Sequence, residues 1–322
     1  MKYSRTYIAA LFVIVAVLVT AGSFRLGRSR AQAQSKNDTA SVTKSTKEAE
    51  PKVESRVKNA VAGDAVTQAN SKIAANSFAS AAAQNAVLRT DLTWVFGGKQ
   101  QRGWYLYTSL INRLLNTDAE PVSDDFAASL SHWQNKNGLP ATGVLDGDSF
   151  RAIFSAWQSA RLKDRSYAQP NQLLTAPPSD FYDPSRADNL RQVERETYAA
   201  YKRMIAAALN DPSLELTRGT DGGLAPTEKF LKIVSAFRPR EYQDELRRKS
   251  PNAGSAGLAV NSPHFTGKAL DLYVGGDPVE TKDPNRAIQV QTPVYKWLVQ
   301  NAERFGFRPY FYEPWHWEYV GP

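Results

Sequence analysis

The sequence predicts an α+β fold for its C-terminal part, preceded by a three-helix module and an N-terminal transmembrane helix. Three observations predict it. Strand and helix patterns mix without regular alternation from residue 187 onward, three segments between 86 and 163 have helical periodicity, and an uncharged apolar run lies near the start. The division that follows is a membrane segment at 1–30, a flexible linker at 31–85, the helical module at 86–163, a second linker at 164–186 and a C-terminal domain at 187–322.

The composition limits the kinds of site that the chain can form. The 322 residues contain no cysteine, which excludes disulfides, thiolate metal sites and cysteine nucleophiles. Three histidines, at 132, 264 and 316, are available to hold a metal. The formal net charge of +8 favours anionic surfaces, but we find no basic block with interleaved aromatic residues and predict no nucleic-acid partner.

The first element is an uncharged stretch from Thr6 to Phe24, long enough to cross a bilayer as a helix. A cleaved signal peptide is the alternative, because 21–23 and 31–33 offer small-residue cleavage patterns. The arginines that follow the apolar run disfavour cleavage, and the lack of amphipathic periodicity disfavours a buried core helix. We therefore predict a protein anchored in the cytoplasmic membrane, with its folded domains outside the cytoplasm; cleavage would instead give a secreted protein.

The next segments are a linker and the helical module. Residues 34–75 contain no aromatic side chain, so they cannot bury enough apolar area to fold alone.

The three helical segments of the module share apolar faces, and Asp146 is a predicted N-cap of the third. Trp133-Gln134, Asn137-Gly138-Leu139 and Thr142-Gly143-Val144-Leu145-Asp146 resemble the peptidoglycan-binding module of cell-wall hydrolases. A helical spacer whose motif residues only shape its turns is the alternative.

Beyond a second, proline-rich linker, the C-terminal domain begins with a long amphipathic helix that ends at Asn210-Asp211-Pro212. Strands are predicted at 214–216, within 230–237 and at 315–320. Helices are predicted at 239–249 and from Thr292 to Gly306.

The stretch from Ser262 to Asp271 carries the first chemical signal. His264 and Asp271 lie an odd number of residues apart, so a continuous strand would send them to opposite faces. Gly267 can supply the turn that brings them together. A carboxylate in so apolar a run needs a partner, and a metal ion would satisfy it.

The second signal is Glu313-Pro314-Trp315-His316, close to the C-terminal end of the sequence. In a strand that starts near Trp315, His316 and Glu318 face the same side, and His316 can meet Asp271 across paired strands. Two histidines and one carboxylate leave a zinc ion a fourth position for water. Glu313 is our choice for the base that takes the water's proton, and Glu318, the competitor, is expected to be a strand-edge group or to support a ligand.

Both motifs resemble the zinc D-alanyl-D-alanine carboxypeptidases of the VanY type, which share the hedgehog/DD-peptidase fold. The resemblance, Ser-x-His-x-x-Gly-x-Ala-x-Asp followed by Glu-x-x-His, covers about 187–322. It implies an α+β fold around a small antiparallel sheet flanked by helices. It also implies one zinc ion held by His264, Asp271 and His316, with Glu313 as the catalytic base.

A third segment, Ser235-Ala236-Phe237-Arg238-Pro239 with Gln243 downstream, resembles the part of the family that contacts substrate. Arg238 is predicted to bind a substrate carboxylate or a developing oxyanion, with Gln243 and Ser262 beside it. The family more usually has Gly, Tyr and Ser where this chain has Ala236, Phe237 and Pro239. A solvated arginine at a helix start is the alternative for Arg238.

Together these features predict hydrolysis of the terminal D-Ala-D-Ala bond of peptidoglycan stem peptides. An endopeptidase that cuts inside the stem peptide or its cross-link is an alternative on the same fold. A cell-wall-binding protein with an inactive zinc site is an alternative from another class, and the presence of Glu313 argues against it.

Overall fold

A computed structural model describes residues 78–250 and 259–321, which fall within one compact unit. The predicted membrane segment lies outside these residues, as does the predicted linker up to residue 77. None of the helices in the described ranges is long and apolar enough to cross a membrane. Membrane anchoring therefore stays a prediction.

Eight α-helices and eight strands lie in the described ranges, joined by short 3₁₀ turns. The helices are α1 (Ala79–Asp91), α2 (Thr108–Leu115), α3 (Asp124–Lys136), α4 (Gly147–Ala160), α5 (Arg195–Leu209), α6 (Arg240–Lys249), α7 (Asp283–Gln291) and α8 (Pro293–Asn301). The strands are β1 (Thr93–Phe96), β2 (Lys99–Arg102), β3 (Leu173–Thr175), β4 (Gln192–Glu194), β5 (Ile233–Ser235), β6 (Ala269–Leu272), β7 (Phe307–Pro309) and β8 (His316–Tyr319).

The strands form one four-stranded antiparallel sheet, in the order β5-β6-β8-β7, and two short antiparallel pairs, β1-β2 and β3-β4. Helices and strands are not in regular alternation, so the predicted α+β class is confirmed. All four residues of β6 and of β8 are buried. These two central strands carry the motifs found in the sequence.

The predicted helices of the module are confirmed as α2, α3 and α4, with caps that the sequence provides. The Asp146 carboxylate accepts from the Ser149 N–H at 2.8 Å, as predicted, and the Ser123 hydroxyl accepts from the Phe126 N–H at 3.2 Å. Each bond satisfies a donor that the first helical turn leaves without a partner.

The first helix begins earlier than expected. Helix α1 starts at Ala79, within the segment predicted as a flexible linker at 31–85. Asn85 of this helix is buried, donates to the Gly143 carbonyl at 2.8 Å and accepts from the Leu145 N–H at 2.7 Å. An alanine-rich helix anchored by one amide shows no apolar periodicity, so sequence patterns do not predict it.

Two further segments differ from expectation. Residues 164–186, predicted as a linker, contain β3, which pairs with β4. The strand predicted at 214–216 is wrong, because Pro212–Leu214 form a 3₁₀ turn and Glu215 has φ 51°. The Asp211 carboxylate accepts from the Ser213 N–H at 3.1 Å, and this local bond with the fixed φ of Pro212 favours a turn over a strand.

The helical region and the sheet region share one hydrophobic core. Phe311, just before β8 in the chain, packs its ring against aromatic rings of the N-terminal part, with centroid distances of 4.9 to 6.3 Å: Trp94, Phe96, Tyr107, Phe154 and Trp157. Aromatic burial of this kind dominates core energetics. The segment that leads into Glu313 and His316 is therefore fixed by side chains from outside the sheet region.

Candidate metal centre

Strand pairing brings two of the predicted ligands together. In the antiparallel register of β6 and β8, Asp271 lies opposite His316. On the other side of β6, Asp271 is paired with Ser235 of β5. Opposed residues on one face have Cβ atoms about 5 Å apart, so side chains from these positions converge.

A 3₁₀ turn from Pro263 to Thr266 supplies the third side chain, His264. The Ser262 hydroxyl accepts from the His264 N–H at 3.3 Å and opens this turn. Gly267 closes it with φ 68°, and a Cβ there would lie 2.9 Å from the Glu194 nitrogen. The reversal predicted at Gly267 is confirmed, because its left-handed conformation and close backbone approach both favour glycine.

His264, Asp271 and His316 form a buried cluster whose ligand atoms all lie within 4.8 Å of one another. Asp271 Oδ1 is 3.3 Å from His264 Nε2 and 2.8 Å from His316 Nδ1. Three such donors in so small a space can hold one metal ion. Within the described residues this is the one group of three or more histidine and acidic side chains with that geometry.

The outer nitrogens of both imidazoles have partners of their own. His264 Nδ1 is 2.6 Å from the Ala236 carbonyl oxygen, and His316 Nε2 is 3.3 Å from Glu318 Oε1. Since these oxygens accept, each outer nitrogen carries a proton, and the inner nitrogen is the one that a neutral imidazole would present to a metal. A histidine ligand is commonly oriented in this way, so the residues fit a metal.

Charges in the cluster follow from burial and contact. Burial lowers the pKa of His264 to about 4, so this imidazole is neutral near pH 7. Burial alone would raise the pKa of Asp271, but contact with His264, the charge of Arg238 and hydrogen bonds with both imidazoles hold it well below its usual range. Burial alone would lower the pKa of His316, but hydrogen bonds to Asp271 and Glu318 raise it to about 9.

Glu313 lies beside the cluster without belonging to it. Its Oε2 is 3.9 Å from His316 Nδ1, and the side chain is buried. Burial raises the pKa of Glu313 to about 8. A carboxyl group with a pKa near the working pH is suited to take and return a proton.

Arg238 reaches the cluster, and Gln243 contacts Arg238. Arg238 contacts Asp271 Oδ2 at 2.5 Å and donates to Ser235 Oγ at 2.9 Å and to Gln243 Oε1 at 3.4 Å. The cleft over the cluster has a volume of about 70 Å³ and is lined by Arg161, Arg165, Arg238, Ala259, Ser262, Pro263, His264, Tyr310, Glu313 and His316. Gln243 is buried behind Arg238 and does not line this cleft.

The sequence interpretation missed Arg161, Arg165 and Tyr310, which line the cleft. Both arginines follow α4, about 100 residues before the motif that begins at Ser262. Arg161 contacts Glu318, and its guanidinium carbon lies 3.8 Å from the centroid of the Tyr310 ring. No spacing pattern in the sequence links these positions, so only the folded chain reveals them.

A comparison with protein-family models agrees with the motifs. Residues 223–322 match the family model of VanY, described as D-alanyl-D-alanine carboxypeptidase, which confirms the predicted family resemblance for this region. One solved structure, of the LD-carboxypeptidase LdcB, is 24% identical and covers 49% of this chain and 72% of its own, with a TM-score of 0.33. Among curated proteins, none matches the sequence.

Proposed function

We propose that this protein is a zinc-dependent D-alanyl-D-alanine carboxypeptidase that hydrolyses the terminal D-Ala-D-Ala bond of peptidoglycan stem peptides. One observation carries the proposal. The buried cluster of His264, Asp271 and His316 opens onto a cleft in which Glu313, a carboxylate outside the cluster, has a raised pKa. The family match over 223–322 supports the same activity.

Two imidazoles and one carboxylate favour zinc among the common divalent ions. A zinc ion held there would act as a Lewis acid towards the peptide carbonyl and make a water molecule acidic enough to react near pH 7. The three proposed ligands hold this ion, and Ala236 and Glu318 orient the two imidazoles.

Glu313 acts as the general base and then as the general acid. Its carboxylate takes a proton from the attacking water and delivers it to the nitrogen of the leaving D-alanine. Pro314 follows Glu313 directly, and the Glu313 N–H donates to the Tyr310 carbonyl at 3.0 Å, so the backbone of this residue is fixed.

Arg238 binds a negatively charged group of the substrate in the cleft. Its planar guanidinium suits a substrate carboxylate or the oxyanion that develops during attack, and its contact with Asp271 sets its place. Gln243 supports Arg238 from behind, and Ser262 shapes the turn that presents His264.

The predictions for the rest of the chain become parts of the same proposal. The segment from Thr6 to Phe24 anchors the protein in the cytoplasmic membrane and exports the remainder. The 86–163 module binds peptidoglycan and brings the cleft to its substrate, and the 187–322 region cleaves the stem peptide.

Digestion of purified muropeptides by the full-length protein tests the proposal. We expect zinc-dependent release of one D-alanine per pentapeptide stem, detected by mass spectrometry, and loss of that release on addition of a metal chelator. Glu313→Gln removes the base, and Glu196→Gln, at an exposed position on α5, is the matched control that retains activity.

Three outcomes contradict the proposal in different ways. Two larger fragments instead of a released alanine would indicate an endopeptidase. Activity that persists in chelator would exclude the metal mechanism. Bound zinc without cleavage of any wall peptide would point to a binding role.

A further inference from the structure

Glu318 is a second buried carboxylate beside His316. Strand β8 places both side chains on one face, and Glu318 is 0% exposed. Its Oε1 lies 3.3 Å from His316 Nε2. Because Nε2 is committed to this carboxylate, Nδ1 of His316 faces Asp271, on the side where the proposed metal binds.

Two groups outside the sheet satisfy this buried carboxylate. Arg161 donates to Glu318 Oε1 through Nε at 3.1 Å and through a terminal guanidinium nitrogen. The Leu162 N–H donates to Oε2 at 2.9 Å. Both oxygens are therefore bonded, which fixes the rotation of the carboxylate as well as its position. A buried carboxylate without such partners would be very unfavourable.

Arg161 is itself held in place. It is the C-terminal cap residue of α4, and its side chain is 12% exposed. Its guanidinium lies over the ring of Tyr310, and one terminal nitrogen contacts Gln158 Oε1 at 3.4 Å. A planar group that stacks on an aromatic ring while it donates to a carboxylate has little freedom to turn.

We propose that Arg161 and Glu318 are positioning residues for His316, so that the end of the helical module forms part of the metal centre. Arg161 fixes the Glu318 carboxylate, and Glu318 fixes the imidazole of His316 with Nδ1 towards the metal. This inference rests on the metal site of the proposed function. It also means that 223–322, the region matched by the family model, lacks a residue that its own site requires.

Zinc affinity of the full-length protein, measured by competition with a chromophoric chelator, tests the inference. We expect Glu318→Gln and Arg161→Gln each to weaken zinc binding by about 10- to 100-fold, the range found when groups that orient metal ligands are lost. Arg161→Lys keeps the positive charge but not the planar guanidinium, and it is expected to weaken zinc binding less than Arg161→Gln does. The control, Arg151→Gln, alters an exposed ion pair on the same helix and leaves the affinity unchanged.

A double variant shows whether Arg161 acts on zinc binding through Glu318 or independently of it. If Arg161 acts through Glu318, then Glu318→Gln combined with Arg161→Gln binds zinc about as weakly as Glu318→Gln alone. Cobalt-loaded proteins add a spectroscopic signature, because a reoriented His316 changes the visible absorption of the ion. Loss of fold stability alone would not shift these bands.

The outcomes are distinct. Wild-type affinity and wild-type cobalt bands in both single variants would overturn the inference while leaving the proposed function intact, and so would additive losses in the double variant. A wild-type protein that binds no zinc would refute the metal site and this inference with it. Should Glu318→Gln fail to fold, Arg161→Gln decides, because unchanged zinc affinity and an unchanged cobalt spectrum in that variant overturn the inference.

Discussion

Glu313 and Glu318 are both buried and both lie beside His316, yet their pKa values shift in opposite directions. Burial raises the pKa of Glu313 to about 8, because its nearest cationic groups do not bond to it. Burial would also raise the pKa of Glu318, but hydrogen bonds with His316 and Arg161 outweigh this effect and lower it well below its usual range.

The contrast shows how two carboxylates beside the same imidazole can take different roles. A carboxylate that is fully bonded stays ionised and holds its partner still, whereas one without strong partners can exchange a proton near pH 7. Sequence spacing offers Glu313 and Glu318 as competitors for the same role. The contacts of each carboxylate separate them, because Glu318 is bonded to His316 and Arg161 and Glu313 is not.

The largest expected effect is on turnover. Glu313→Gln is expected to lower kcat by about 10²- to 10⁴-fold, the usual contribution of a general base, while zinc affinity stays close to the wild-type value. Steady-state release of D-alanine with a zinc-loaded enzyme measures it. A variant that retains more than a tenth of wild-type kcat would show that Glu313 is not the base.

The matching substitution on the other side of His316 is expected to behave differently. Glu318→Gln weakens zinc binding, but at saturating zinc its kcat is expected to recover to within about tenfold of wild type, because the base is still present. A titration of activity against zinc concentration checks this. If Glu318→Gln at full zinc occupancy lost as much kcat as Glu313→Gln does, Glu318 would be the better candidate for the base.

Stability of the metal-free protein is expected to depend on pH in opposite ways. Because the pKa of Glu313 is raised, the folded protein keeps the proton on this carboxyl group above about pH 4.5, where the unfolded chain releases it. Its ionisation therefore destabilises the fold as pH rises from about 4.5 to 8. The lowered pKa of Glu318 means that its ionised form stabilises the fold above about pH 4.5, and this contribution is lost as pH falls below that value.

Denaturant unfolding of the metal-free variants across this range checks the two signs. Relative to wild type, Glu313→Gln is expected to gain stability as pH rises towards 8, and Glu318→Gln to be less stable near pH 7. Each difference should exceed about 1.4 kcal/mol, the equivalent of one pKa unit. Parallel pH profiles for wild type and Glu313→Gln would contradict the burial argument.

The smallest expected effect is a proton count. The pKa of about 9 for His316 means that this imidazole is protonated in metal-free protein near pH 7, and zinc can bind only after that proton leaves. Zinc binding is therefore expected to release about one proton from His316 and a fraction of one from Glu313. Calorimetry in buffers of different ionisation enthalpy measures the number, which is expected to fall in Glu313→Gln.

Most of the proposed site could be predicted from the chain itself. His264, Asp271, Glu313 and His316 stand in two short motifs, and the alternation of strands and the turn at Gly267 were enough to argue that their side chains meet. The helices with clear apolar periodicity were also found. Within each motif and each helix these residues lie fewer than about ten positions apart, where spacing in sequence fixes position in space.

Other features could not be predicted for a physical reason. Helix α1 depends on Asn85, whose partners are backbone groups of the 143–145 turn about 60 residues away. The strand expected at 214–216 gave way to a turn through a side-chain bond from Asp211. In each case a polar contact, which leaves no hydrophobic period in the sequence, decided the local structure.

The donor types, their spacing and the family resemblance follow from the amino-acid sequence alone, because the absence of cysteine and the scarcity of histidine leave few ways to hold a metal. The folded chain is needed to tell which carboxylate beside His316 is bonded and which can exchange its proton. That decision depends on Arg161, which reaches Glu318 across 157 residues of sequence, and on the burial that their contact completes. Electrostatic environment is a property of groups that meet in space, and chain spacing over such a distance does not encode it.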